Sequence, residues 1–156
     1  MWIIYSWSFI IFTATKNLIS FMKRILSTKY SAAAFNASML FIRIAFGAAM
    51  MKHGYDKLVQ FAQMKGKFMN FLGMGQSASL SLVIFAEFFC ALFIIIGLFT
   101  RLAAIPLIIV MCVALFKAHN ADFIGEGEKA FLYLAAFVTL ALVGPGRVSV
   151  DGMIGK

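Results

Sequence analysis

Residues 80–99 read LSLVIFAEFFCALFIIIGLF. The stretch carries one charged side chain, Glu87, and its length is what a helix needs to cross a bilayer, about 20 mainly apolar residues. Three further runs of the same kind lie around it. One precedes it from about Asn36 to His53, with Arg43 inside and a helical pattern continuing through Lys57 and Leu58 to Phe61. The next follows the short turn Thr100-Arg101, in which Thr100 is a suitable N-cap. It runs from about Leu102 to Lys117, with Pro106 near its start, where proline costs least. The last runs from about Lys129 to Val143 and is stopped by Gly144-Pro145-Gly146. The expected fold is all-α: a membrane protein built as a bundle of four transmembrane helices.

Composition agrees. The chain has 156 residues, 63% hydrophobic and 13% charged, with a mean hydropathy of +0.95. A soluble domain carries about 45–50% apolar and about 25% charged residues. Four spans and short loops nearly exhaust residues 36–156, so no separate soluble domain fits. The net charge of +8 is read as basic residues flanking spans and meeting anionic lipid. No basic stripe with interleaved polar residues points to nucleic acid.

Residues 1–35 form an N-terminal extension. Ile3 to Phe12 is apolar but short, and its first basic residue, Lys16, comes after the apolar stretch, the reverse of a secretory signal. Two readings stay open. The segment lies in the interface as an amphipathic helix, or translation starts at Met22, where Met22-Lys23-Arg24-Ile25-Leu26 has the form of an ordinary cytoplasmic start. Residues 62–79 make a loop punctuated by Gly66, Gly73 and Gly75, and Phe68, Phe71 and Leu72 predict a short half-helix on the membrane surface. Orientation is weakly encoded. Lys23, Arg24, Lys29, Arg101, Arg147 and Lys156 fall on one side, and Lys52, Lys57, Lys65, Lys67, Lys117 and Lys129 on the other. Lys16 and the basic start favour both termini on the cytoplasmic side.

Charged residues inside spans cost about 2.5–3.5 kcal/mol each on insertion scales, so they face the interior and pair. Arg43 and Glu87 are the deep ones. Antiparallel helices aligned by their midpoints leave them about 10 Å apart along the axis, which predicts an Arg43–Glu87 ion pair, either as a staple between helices or as a ligand or proton site. At 100° per residue, Arg43, Gly47, Met50, Gly54 and Lys57 share one face, and Gly47 and Gly54 let a neighbouring helix or ligand approach. Lys57 reads as an interface anchor, with His53 partly off that face. Lys117, His119, Glu126 and Glu128 cluster between the third and fourth spans. Arg43, His53, Lys57, Glu87, His119 and Glu128 together outline a polar pocket at one mouth of the bundle. Arg101 and Asp151 are expected to pair and fasten the amphipathic tail. The histidines lack ligand spacing for a metal or haem, and Cys90 and Cys112 read as small buried hydrophobes.

Several blocks coincide in order and spacing. Arg43-Ile44-Ala45-Phe46-Gly47 leads to His53-Gly54-Tyr55-Asp56-Lys57, and Phe85-Ala86-Glu87 to Gly97-Leu98-Phe99-Thr100-Arg101. His119 and Glu128 follow, and Gly144-Pro145-Gly146-Arg147-Val148-Ser149-Val150-Asp151 closes the run. Residues 36–152 resemble the DoxX family. The resemblance implies a four-helix bundle in the bacterial inner (plasma) membrane, with family positions at Arg43, His53, Gly54, Lys57, Glu87, Arg101, Gly144, Gly146, Ser149 and Asp151. Family relatives are linked to a terminal quinol oxidase, to thiosulfate:quinone oxidoreduction and to redox-stress complexes. The chain lacks the Cys pair of related four-helix thiol oxidoreductases. Two functions follow as expectations. One is a membrane subunit of a quinone-linked redox system, with no cofactor of its own and with partner proteins supplying any metal or flavin. The other is a non-catalytic protein of complex assembly, envelope integrity or small-solute passage. A homo-oligomer is compatible with both.

Overall fold

The computed structural model describes residues 2–155, with side chains from residue 13 onward. All regular structure among them is helical. The chain falls into two compact units, residues 1–32 and 33–156. The first unit contains α1, Trp2–Ile25.

The second unit holds the membrane helices. Helix α2 spans Ala32–Val59 and is followed by the short α3, Phe61–Met64. Helix α4, Gln76–Ile84, passes through a π-helical segment, Phe85–Cys90, into α5, Ala91–Ile96. Helix α6, Thr100–Val113, likewise runs into a π segment, Ala114–Ala118. Helices α7, Glu128–Val143, and α8, Val150–Ile154, complete the unit. Among the described residues, three helices are long and apolar enough to cross a membrane: Ala32–Val59, Gln76–Ile96 and Thr100–Ala118. Helix α7 has 16 residues, about 24 Å at 1.5 Å per residue, against a hydrocarbon core of about 30 Å.

The packing is that of a protein whose solvent is lipid. Large side chains such as Leu82, Phe85, Leu102, Ile109 and Leu142 lie on the outside. The interior is rich in small residues, with Ala86, Ala91, Ala103 and Ala104 all buried among Leu107, Phe137 and Leu140. Lipid tails are as apolar as leucine, so helices associate by close contact through small residues. In α2 the buried positions are Met39, Arg43, Gly47, Met50 and Gly54, a single helical face. Cys90 is buried and Cys112 half-buried, and both are free.

Several local expectations are corrected. Pro106 lies well inside α6, because the helix begins at Thr100 and not at Leu102. Its missing N–H leaves the Leu102 carbonyl without its helical donor. The half-helix expected around Phe68, Phe71 and Leu72 is a single 3-10 turn, Phe71–Gly73, with Leu72 at φ 52°. Side chains compete for its backbone: the Phe71 N–H donates to Ser79 Oγ at 2.9 Å, and the Gly75 N–H to Asn70 Oδ1 at 2.8 Å.

The expected Arg101–Asp151 pair is not formed. The α5–α6 turn is tight, with Gly97 at φ 73° and Phe99 at φ 48°. The N-cap position is therefore Phe99, not Thr100, and the capping acceptor comes from the tail. The N–H groups of Phe99 and Thr100 donate to the Asp151 carboxylate at 2.7 and 2.9 Å, while the Asp151 N–H donates to the Gly97 carbonyl at 2.9 Å. Arg101 instead approaches the Leu142 and Val143 carbonyls at 3.3 and 3.5 Å, in the last turn of α7, where a cation is favourable. Burial pushes the Asp151 carboxyl up, but the Thr100 and Phe99 N–H groups and the nearby Arg43 charge outweigh it, so it titrates below its ordinary range. A depressed carboxylate stabilises the fold above its unfolded pKa, and the stabilisation is lost as pH falls through the depressed value. Asp151→Asn is expected to lower stability by about 1–3 kcal/mol near neutral pH, because the amide turns an NH2 toward one of the two N–H groups that both carboxylate oxygens now accept from. The loss should shrink as the wild type is acidified. Thermal unfolding of both proteins across the acid range checks it; parallel pH profiles would count against the cap.

Candidate functional site

Arg43 and Glu87, the two deep charges, do not meet. Arg43 is 2% exposed and spends its donors on backbone carbonyls. Nε donates to Ile94 O at 3.0 Å and Nη2 to Ile95 O at 2.9 Å, at the C-terminal end of α5. Nη1 donates to Pro145 O at 2.8 Å and Val148 O at 2.7 Å, in the loop after α7. A helix end leaves carbonyls without intrahelical donors, and a guanidinium offers five donors in a fixed fork. Gly97 completes the fit, because a Cβ there would lie 2.8 Å from Arg43 Cζ and 2.5 Å from Ser149 Cβ. The Ser149 hydroxyl donates to Gly146 O at 2.6 Å and accepts from the Gly152 N–H at 3.0 Å, capping α8.

The partner of Glu87 is Lys57. Its Nζ donates to Glu87 Oε2 at 2.5 Å, with the two side chains 23% and 6% exposed. Lys57 thus points inward, which corrects its reading as an interface anchor. Gly54, one turn earlier on α2, makes the pairing geometry. A Cβ on Gly54 would lie 2.5 Å from Phe88 N and 2.6 Å from Glu87 C, so α2 rests on the backbone of the π segment. That segment presents Glu87 to Lys57; π turns inside α-helices recur at functional sites.

The pair forms part of the wall of a cavity of about 510 Å³, within the size range of small-molecule sites. One wall is Leu82, Val83, Phe85 and Ala86; the facing wall is Pro106, Ile109, Val110, Val113, Ala114 and Ala118. Phe68, Met69 and Phe71 cover it from the loop. Its polar side chains are Lys57, Ser79 and Glu87. The Ser79 hydroxyl is already engaged by Phe71 N–H and Gly75 O. The cavity therefore offers an incoming molecule an apolar slot and, on one side, a donor and an acceptor of zero net charge.

The remaining predicted site residues lie around this centre to different degrees. His53 is exposed and sits edge-on to Tyr133, with ring centroids 6.0 Å apart. Both rings are within electrostatic reach of Glu87. His119 is half-buried, with Nδ1 3.9 Å from Glu126 Oε2, and Glu128 is exposed at the start of α7. Between them Asp122 accepts from the N–H groups of Gly125 and Glu126 at 2.8 and 3.1 Å, which holds its carboxyl below the ordinary range. Tyr133 and the cavity residues of the loop and α6 are not among the site residues expected from the sequence; Phe68, Phe71 and Pro106 drew attention only for local structure. Tyr133 carries a visible signal, a hydroxyl-bearing ring inside a mainly apolar fourth run. Among the described residues, no three His, Cys, Asp or Glu side chains converge as a metal site.

Fold and site together define a multi-pass α-helical membrane protein with a buried ion pair beside an apolar cavity. The chain belongs to the DoxX family, whose model matches residues 38–120, more than half of its length. The match takes in Arg43, Lys57, Glu87 and every residue of the cavity lining, and stops before Gly144–Asp151. Searches of curated proteins and of solved structures returned no match.

Proposed function

We propose that this protein is a membrane subunit of a quinone-linked redox system in the bacterial inner membrane, with the cavity beside Lys57 and Glu87 as its quinone site. The supporting observation is that ion pair, set as an adjacent donor and acceptor into an otherwise apolar slot. A quinone carbonyl accepts from Lys57, and a hydroquinone hydroxyl donates to Glu87, so both redox forms find a partner. A ligand with a net charge would leave the neutral pair unbalanced in a low-dielectric site. Electrons come from a partner protein. In this reading α7 is the fourth crossing, its shortfall met by local thinning of the bilayer, and both termini are cytoplasmic.

The test is titration of a short-chain quinone into purified wild type and Glu87→Gln, with mass analysis for a copurified quinone. Removing the charge is expected to weaken binding about 10–100-fold, the worth of a charge-assisted hydrogen bond; it also leaves Lys57 without its counter-charge, so the melting temperature falls as well and binding is read on the folded fraction. Absence of saturable binding to well-folded wild type, with no copurified quinone, would refute the proposal. The non-catalytic reading has Arg43 on its side, since four of the five donors of that buried group join α5 to the loop after α7.

A further inference from the structure

The C-terminal half of helix α1, residues 13–25, divides its side chains into two sectors. At 100° per residue, Thr13, Lys16, Asn17, Ser20, Lys23 and Arg24 fall within about 120° of the helix circumference. Ala14, Leu18, Ile19, Phe21, Met22 and Ile25 occupy about 160° of the rest, with Thr15 the exception among residues 13–25. Leu18, Ile19, Phe21, Met22 and Ile25 are 49–62% exposed. Lys23 and Lys16 lie at one border of the polar sector, and Arg24 lies beside Asn17 toward the other. Residues 1–55 contain no Asp or Glu.

We infer that α1 lies flat in the headgroup region of a leaflet rich in anionic lipid, with its apolar sector toward the acyl chains. Length does not decide the matter, since 24 residues reach about 36 Å and would cross a bilayer. The polar sector decides it. A crossing helix would hold Lys16, Asn17 and Ser20 against hydrocarbon, at a cost of several kcal/mol for the lysine alone on insertion scales. A flat helix puts the whole polar sector at the water boundary. Its bordering cations then meet lipid phosphates, with their aliphatic stems lying along the apolar side. Charge complementarity selects the occupant: three cations on a stretch of sequence with no Asp or Glu before position 56 match an anionic lipid surface.

The chain carries its own probe. Its two tryptophans, Trp2 and Trp7, both belong to α1. The full-length protein is placed in nanodiscs of phosphatidylcholine alone or with phosphatidylglycerol. Tryptophan emission is then read with lipids brominated at graded depths and with an aqueous quencher. The expected result is shallow quenching that strengthens with phosphatidylglycerol and fades with salt. Each cation is worth about fivefold in attraction to an anionic surface, so Lys16→Gln, Lys23→Gln and Arg24→Gln combined should lose on the order of a hundredfold of the anionic-lipid preference. Glutamine keeps the helix propensity, so unchanged helicity by circular dichroism accompanies the loss. Quenching strongest from the bilayer centre would overturn the inference in favour of a crossing helix. Emission indifferent to lipid charge and open to the aqueous quencher would overturn it as well.

Discussion

Arg43→Met is expected to destabilise the protein by at least about 3 kcal/mol, as judged by hydrogen bonds to charged groups worth about 1.5–3 kcal/mol each. Methionine fills much of the space but donates nothing. The carbonyls of Ile94, Ile95, Pro145 and Val148 then lose their donor together, and the residual hydrogen bond from Gly97 N–H to Ile94 O at 3.2 Å replaces only one of the four. The damage should reach the α5–α6 turn, because the loop after α7 leads directly to Ser149 and the Asp151 cap. Arg43→Lys keeps the charge but not the fork, so partial rescue at most is expected. Thermal unfolding in detergent, followed by size-exclusion retention, measures the effect. A melting temperature within a degree or so of wild type would show that the clamp contributes little.

Gly54→Ala is expected to lower stability and, on the proposed function, to abolish quinone binding with it. Alanine is worth about 1 kcal/mol more than glycine in a helix interior, so without tertiary contact the change would stabilise. Here the new methyl would meet Phe88 N at 2.5 Å, Glu87 C at 2.6 Å and Glu87 O at 2.9 Å, all backbone atoms that no rotamer change can move. Overpacking of this kind costs about 1–3 kcal/mol and occasionally more, which outweighs the propensity gain. Relief requires α2 to withdraw from the π segment, and Lys57, one turn on, withdraws with it. Gly66→Ala is the control, since a Cβ there meets nothing within 4 Å. A Gly54→Ala protein that melts like wild type and still binds quinone would refute the account of how α2 positions Lys57. Glu87→Gln removes the acceptor and leaves the Lys57 charge unpaired, but it leaves the close approach of α2 to the π segment at Gly54 in place.

Much of this arrangement was legible in the residues, and the failures share a cause. The three long spans and the Gly47–Gly54 contact face follow from runs and spacings along one chain segment. The predicted Arg43–Glu87 pair rested on heights along the helix axis. Height says nothing of the direction in which a side chain points around the axis, and the π turn at Phe85–Cys90 resets that direction for Glu87. The partners of Arg43 are carbonyl oxygens at a helix end and in a loop, groups that every residue carries and that no residue letter distinguishes. Asp151 was expected to pair with Arg101 for the same reason: the competing donors, the N–H groups of Phe99 and Thr100, are backbone.

What the sequence by itself determined is the solvent of this protein, the helices that face it, and which side of α2 turns inward. These depend on hydropathy and on a 3.6-residue period, both local properties. Only the tertiary structure decided that Lys57 rather than Arg43 neutralises Glu87, and that residues from position 57 to position 118 line an apolar cavity. Those outcomes depend on how closely α2 settles onto the π segment at Gly54. That distance is set by atoms more than thirty positions apart and is contained in neither segment alone.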